Sequence, residues 1–119
     1  MELIPMESHY RMLRNGWKNA ERIVKDQEPE DFQPVVKLFC PWSGATWLLT
    51  ELQPDDPDIA FGLCDLGMGY PELGQVSIME LKAVRGPCGL TIERDLYFQA
   101  DKTLSEYAAD AHAQGRIDA

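Results

Sequence analysis

Long apolar segments are absent from this sequence of 119 residues. No apolar run reaches the roughly 18 residues that a membrane-spanning helix requires. Residues 1–7 are acidic and carry no extended apolar stretch, which argues against a secretory signal. Internal repeats and low-complexity tracts are absent as well. A chain of this length with 45% hydrophobic residues is therefore expected to fold as one domain that has no contact with a membrane.

Residues that commonly bind metals and cofactors are scarce. The three cysteines form no CxxC pair, and only two histidines are present, so neither a zinc site nor a disulfide framework is expected. The glycine-rich segment 67–71 matches neither a dinucleotide-binding nor a phosphate-binding motif. The sequence therefore predicts no cofactor and no metal. It favours a protein without enzymatic activity but leaves that question open.

Positive charge is missing from a long central part of the chain. The net charge is −9, yet residues 38–81 contain no Lys, Arg or His. A net charge of this sign argues against general coating of nucleic acid. The acidic residues of this stretch are Glu51, Asp55, Asp56, Asp58, Asp65, Glu72 and Glu80.

The N-terminal segment has the opposite character. Five basic residues recur there at helical spacing, namely Arg11, Arg14, Lys18, Arg22 and Lys25. A second stripe at helical spacing is apolar and consists of Met6, Tyr10, Leu13, Trp17, Ala20 and Val24. Asn15 and Gly16 are typical of a helix end. One long helix and a helix over 5–15 followed by a turn or a looser second helix are therefore equally compatible with the pattern.

The remaining pattern predicts an α+β domain with an antiparallel sheet of four or five strands between an N-terminal and a C-terminal helix. Residues 1–33 form a helical segment and an acidic loop, 34–99 the sheet core with one short helix, and 103–115 the C-terminal helix, all within a single domain 1–119. A loop is expected at 53–58. The predicted strands are 34–40, 45–52, 59–66, 73–78 and 90–98. Ser77 with Glu80, and Thr103 with Glu106, have the spacing of helix-capping boxes.

Some residues are candidates for a functional site. Asp65 ends an apolar strand beside a glycine-rich loop, where it either serves a function or caps the loop through backbone N–H groups. Asp55, Asp56 and Asp58 are typical of a solvated turn. Glu93 and Asp95 alternate along a strand, where they either form a carboxylate pair or protect a sheet edge. Trp42 follows a proline in a turn and is a candidate anchor for a partner.

Several segments resemble a bacterial family known as domain of unknown function 2958. They are 36–39 (VKLF), 45–51 (ATWLLTE), 55–67 (DDPDIAFGLCDLG), 71–74 (PELG), 84–87 (VRGP) and 92–96 (IERDL), followed by Leu104, Tyr107 and Ala108. The resemblance implies a cytoplasmic protein of bacterial mobile elements such as plasmids, integrated elements and phages. It implies no reaction. Cys40, Pro41 and Trp42, and the long charged segment 17–33, depart from the family pattern.

Three hypotheses follow. The first is a binding protein that inhibits a host defence system, as an anti-CRISPR or antirestriction protein acting on a nuclease or restriction effector. In this hypothesis the acidic residues Asp55, Asp56, Asp58, Asp65 and Glu72, with Glu93 and Asp95, imitate the phosphates of DNA, or Trp42 and the basic stripe contact the partner without mimicry. The second is a carboxylate-dependent enzyme that uses Asp65. The third is an accessory DNA-binding protein of plasmid transfer or maintenance that uses the basic stripe.

Overall fold

A computed structural model describes residues 2–119 and contains a five-stranded antiparallel sheet with helices on both faces. The α+β architecture with helices near both termini is thereby confirmed. The elements in chain order are α1 (Met6–Val24), β1 (Val36–Phe39), β2 (Thr46–Gln53), β3 (Asp56–Asp65), β4 (Glu72–Ser77), α2 (Ile78–Ala83), a 3-10 turn (Pro87–Gly89), β5 (Glu93–Arg94) and α3 (Leu104–Gln114).

The sheet order is β4-β3-β2-β1-β5, so the first four strands form a meander and β5 adds to the opposite edge. The predicted loop over 53–58 is too long. Gln53 pairs with Asp56, which leaves only a two-residue turn at Pro54 and Asp55 and extends both strands toward the hairpin tip.

The fifth strand is much shorter than the predicted 90–98. A 3-10 turn at Pro87–Gly89 lies just before the predicted start of this strand. The N–H of Leu90 donates to the carbonyl of Pro87 in this turn and not to a neighbouring strand. At the other end, the Asp95 carboxylate accepts the N–H of Tyr97 at 2.9 Å and turns the chain away from β1. The local turn chemistry therefore overrides the β-forming composition of this segment.

The N-terminal helix is continuous, and Gly16 does not end it. Gly16 is buried where α1 crosses β2, and a Cβ atom at this position would lie 1.8 Å from the carbonyl oxygen of Leu52. The neighbouring Asn15 donates from Nδ2 to the carbonyl of Thr50 at 2.9 Å. Asn15 and Gly16 are therefore contact residues that allow the helix to approach the sheet closely, rather than helix-ending residues.

Each face of the sheet carries its own core. Residues of α1 and α2, including Met12 and Leu81, pack with Leu38 and Leu49 on one face. Helix α3 covers the other face with its predicted inward residues Leu104, Tyr107, Ala108 and Ala111, all of which are buried. Glu106 accepts the N–H of Thr103 at 2.9 Å, and Gly115 ends the helix with a φ of 76°. The capping signals of α3 are thus confirmed.

Helix α2 begins at the expected cap. Ser77 Oγ accepts the N–H of Glu80 at 3.2 Å and donates to Asp58, whose other carboxylate oxygen accepts the N–H of Met79 at 2.8 Å. A carboxylate of β3 thereby fixes the start of α2 against the sheet.

Replacing Ser77 with Ala is expected to lower the free energy of unfolding by about 1 kcal/mol at neutral pH, the usual cost of losing an N-cap. The hydrogen bonds from Ser77 and Met79 lower the pKa of Asp58 in the folded protein. The ionised carboxylate therefore stabilises the fold above its ordinary pKa, and this contribution is lost as the pH falls through the lowered value. Urea unfolding of both proteins between pH 7 and pH 3 tests this, since the difference between them should shrink in acid. A constant difference would show that Asp58 plays no part in the cap.

Candidate functional site

The predicted acidic residues do not form one continuous surface. Asp55 and Asp56 are exposed at the tip of the β2–β3 hairpin. Glu72 is exposed opposite Cys64, near the far end of β3. The strand between these two ends spans about 30 Å. Any partner that contacts both ends would have to follow the full length of the sheet.

Asp65 is a buried hydrogen-bond acceptor and not a surface charge. It is only 2% exposed, and its carboxylate oxygens accept the N–H groups of Gly67 at 2.8 Å and Ile117 at 3.0 Å. A partner cannot reach it in the folded protein, which corrects its place in the predicted acidic surface. The geometry agrees with the loop-capping alternative. Asp58 is similarly engaged with Ser77 and the N-terminus of α2.

The other predicted contact residues lie at the β1–β5 edge and beyond it. Asp95 forms an ion pair with Lys37 at 3.5 Å, and Glu93 is half-buried opposite Phe39. Trp42 is half-buried because its ring lies directly against Gly86, where a Cβ atom would approach the ring to 2.4 Å. These side chains do not join the acidic hairpin tip.

The basic stripe lies along α1 as predicted, but most of its charge is locally compensated. Lys18 pairs with Glu30 at 3.0 Å and Lys25 with Glu21 at 2.8 Å. Arg22 donates from Nε to the carbonyl of Glu28 at 2.6 Å. Within residues 2–119, Arg11 and Arg14 form no ion pair and no hydrogen bond through their side chains. The free positive charge of the stripe is therefore concentrated in its N-terminal half.

An exposed apolar row runs beside these two arginines. We call Met6, Tyr10, Trp17 and Val24 the outer face of α1. Trp17 is 60% exposed and Val24 86% exposed, although both belong to the apolar stripe of the sequence. The sheet is instead contacted by the adjacent row Met12, Gly16 and Asn19, which is buried. The sequence showed the outer face as an apolar stripe but not its exposure. The sequence signal for this packing was the pair Gly16 and Asn19 on the adjacent row, a small residue and an amide that a close helix–sheet contact can use.

A cleft of about 330 Å³ separates the C-terminal half of α1 from the β2–β3 hairpin. Its walls are apolar and include Ala20, Ile23, Leu52 and Phe61. Glu51 lines it as well, and the sequence marks this residue only as one of the acids of the central stretch. A bulge between Leu49 and Glu51 in β2 changes the strand register at this point. A bulge of this kind has no clear sequence signature.

Glu51 is held by neutral donors. Asn19 Nδ2 lies 3.1 Å and 3.3 Å from its two carboxylate oxygens, and Thr50 Oγ1 lies 3.4 Å from one of them. Burial raises the pKa of Glu51, against the opposing effect of these hydrogen bonds. Asn19 is in turn fixed by the backbone of Glu30, whose N–H it accepts at 2.7 Å. The carboxylate is therefore positioned at the cleft, and no cationic side chain of the described residues pairs with it.

The thiols and histidines offer no comparable arrangement. Cys40 is buried, and burial raises the pKa of Cys64 to about 11, while Cys88 is exposed. His112 is exposed and contacts the carbonyl of Pro71 at 2.8 Å. No cluster of three His, Cys, Asp or Glu side chains suited to a metal ion occurs in the described part of the chain. Within the same residues, no helix is both long and apolar enough to cross a membrane.

Comparison with known proteins identifies a family. A family model described as "Protein of unknown function (DUF2958)" matches residues 3–118, nearly the whole chain. No curated protein and no solved structure matches it.

Proposed function

We propose that this chain, which belongs to the DUF2958 family, is a non-enzymatic binding protein that inhibits a bacterial host defence system by occupying a protein effector. The effector would be a nuclease or another component of a restriction or CRISPR system. The family resemblance implies that the protein is cytoplasmic and is encoded on a mobile element such as a plasmid or phage. The contacts and exposure of its side chains support the choice of binding surface.

The observation that carries the proposal is the exposure of the outer face of α1. Exposure of Trp17, Tyr10 and Val24 in one row is unfavourable for an isolated domain, because burying such side chains lowers the free energy. Tryptophan, tyrosine and arginine contribute most of the affinity at protein interfaces. Here the aromatic row is flanked by the unpaired Arg11 and Arg14. The arrangement supports a protein partner with an apolar groove and an acidic rim.

DNA mimicry receives less support. Of the predicted acidic residues, Asp58 and Asp65 bond internally, and the exposed Asp55 and Asp56 lie far from Glu72. A phosphate ladder needs regularly spaced, free negative charges. We therefore place the contact on α1 and not on the hairpin.

An infection assay tests the inhibitory function. The chain is expressed in a bacterium that carries a defined restriction or CRISPR system, and phage plating is compared with that of an empty vector. Plating is expected to rise only in the presence of the defence system. Changing Asp55 and Asp56 to Asn, which removes both negative charges, should leave this effect intact. An unchanged plating efficiency across a panel of such systems would contradict the proposal.

Replacing Trp17 with Ala is expected to weaken binding of the purified effector by about 30-fold, which corresponds to about 2 kcal/mol for a central aromatic contact. Because the side chain is 60% exposed, the unfolding midpoint should change little. Isothermal titration calorimetry measures the affinity. The matched control is Tyr97→Ala, which removes an aromatic ring that is 92% exposed but lies outside α1. Equal losses of affinity in the two variants would show that the outer face is not part of the interface.

The two unpaired arginines also favour a second candidate, an accessory DNA-binding protein of plasmid transfer or maintenance. Phosphate contacts by Arg11, Arg14 and Lys18 would make DNA binding steeply salt-dependent. Gel-shift measurements with Arg14 and Lys18 changed to Ala distinguish the candidates. Loss of salt-sensitive DNA binding in this variant would support the accessory role, and no DNA binding by the unaltered chain would reject it.

A further inference from the structure

We propose that the cleft between α1 and the β2–β3 hairpin binds a small organic cation, an ammonium or guanidinium group on a short apolar body. The charged group pairs with Glu51, and the apolar body lies against the side chains that form the cleft walls. This inference is independent of the proposed inhibitory function.

The shape and lining of the cleft fit a small ligand. Its volume of about 330 Å³ lies within the range of small-molecule pockets, and such pockets combine apolar walls with a few placed polar groups. Ala20 and Ile23 form the wall on α1, and Leu52, Pro54 and Phe61 form the wall on the hairpin. The polar part of the lining includes Glu51, which Asn19 Nδ2 approaches to 3.1 Å, together with Gln53 and Gln75. The cleft therefore combines apolar walls with a few polar side chains.

The charge of the cleft determines the sign of the ligand. Only two of its lining residues are charged, Glu30 and Glu51, and both are acidic. Glu30 is neutralised by Lys18 at 3.0 Å. Within residues 2–119, Glu51 receives only the amide of Asn19 and the hydroxyl of Thr50. A half-buried carboxylate without a cationic partner is costly, and a bound cation would offset that cost.

Other ligand classes fit less well. An anion would be repelled by the negative charge of Glu51, which is half-buried. A hard metal ion such as Ca²⁺ or Mg²⁺ needs several oxygen ligands, and Glu51 is the only carboxylate of the lining that is not already in an ion pair. A neutral apolar molecule would leave the carboxylate unpaired. An organic cation satisfies both the charge and the apolar walls.

The orientation of Glu51 is fixed before any ligand binds. Asn19 donates to both carboxylate oxygens, and its own carbonyl accepts the N–H of Glu30, so the amide cannot rotate freely. Asn19 Nδ2 also lies 3.2 Å from the carbonyl of Glu30. A positioned carboxylate loses little side-chain freedom on binding, which favours affinity for a small ligand.

The experiment compares a cation with its neutral isostere. The full chain is titrated with butylguanidinium and, separately, with butylurea, and the backbone amide shifts of Gly16, Leu52 and Gln53 are followed by NMR. Butylguanidinium is expected to give saturable shifts at these amides, with butylurea binding at least 10-fold more weakly. Equal binding of the two probes, or no saturable shift at these residues, would overturn the proposal.

Two variants assign the charge to Glu51. Glu51→Gln keeps an oxygen that can accept the Asn19 amide but removes the charge, so the preference for butylguanidinium over butylurea should fall to about 1-fold. The matched control Glu72→Gln removes an exposed carboxylate at the other end of the sheet and should leave the preference unchanged. Ile23→Arg covers the case in which Glu51→Gln does not fold. Ile23 is a mostly exposed wall residue, and a guanidinium there should compete with the probe. An unaltered preference in Glu51→Gln, or in Ile23→Arg where Glu51→Gln does not fold, would overturn the assignment.

Discussion

Replacing Asp65 with Ala is expected to lower the free energy of unfolding by about 3 kcal/mol, because two backbone N–H groups lose their acceptor. One of them belongs to Gly67, whose φ of 81° places it in the tight loop after β3. The other belongs to Ile117, a buried residue of the second core that follows α3. A single side chain thus ties the end of β3 to the C-terminal segment. Chemical unfolding followed by circular dichroism measures the loss.

Two further variants make this result specific. Asp65→Asn retains one carbonyl acceptor and should cost less than Asp65→Ala, while Asp56→Ala removes an exposed carboxylate at the hairpin tip and should change stability little. Native-state hydrogen exchange should show faster exchange of the Ile117 amide in Asp65→Ala. A stability equal to that of the unaltered chain would contradict the capping role.

The elements that were predictable from the sequence are those whose signals are local. Helix α3 has a capping residue, an acidic residue three positions later, an apolar face and a terminal glycine, and all of these act within one helix. The length of helix α1 could not be predicted, because Asn15 and Gly16 occur both at helix ends and at close packing contacts. A helix end uses their conformational freedom, whereas a close packing contact uses their small size or their amide. Only the position of β2 decides which of these two roles the residues have, and β2 is distant in sequence.

The candidate site was predictable in part. The spacing of basic and apolar residues placed both stripes on α1, but exposure of Trp17 depends on which neighbouring row meets the sheet. The acidic residues were visible as charges, yet burial of Asp65 requires the return of the chain at Ile117. Glu51 gained its role from a bulge in β2 and from Asn19 on another element. Contacts between distant segments therefore decide which charges are free to bind a partner.

The close approach of α1 to the sheet at Gly16 gives the second large effect. Replacing Gly16 with Ala is expected to destabilise the fold by about 3 kcal/mol, since overpacking against fixed backbone cannot be relieved by a side-chain rotation. The new Cβ would lie 1.8 Å from the carbonyl oxygen and 3.0 Å from the carbonyl carbon of Leu52. Alanine favours helix over glycine by about 1 kcal/mol, and this gain opposes the steric cost without cancelling it. Urea unfolding measures the net change.

The structural consequence of Gly16→Ala separates this effect from a general loss of stability. Helix α1 should move away from β2, so the hydrogen bond from Asn15 to Thr50 and the contact of Asn19 with Glu51 should weaken first. The matched control is Gly74→Ala in β4, where an added Cβ meets no atom within 4 Å and stability should be unchanged or slightly higher. Equal stability of the Gly16→Ala and Gly74→Ala proteins would mean that α1 does not rest on the carbonyl of Leu52. The cleft beside Glu51 would then lack its fixed wall, because Gly16 and Asn19 both line it from α1.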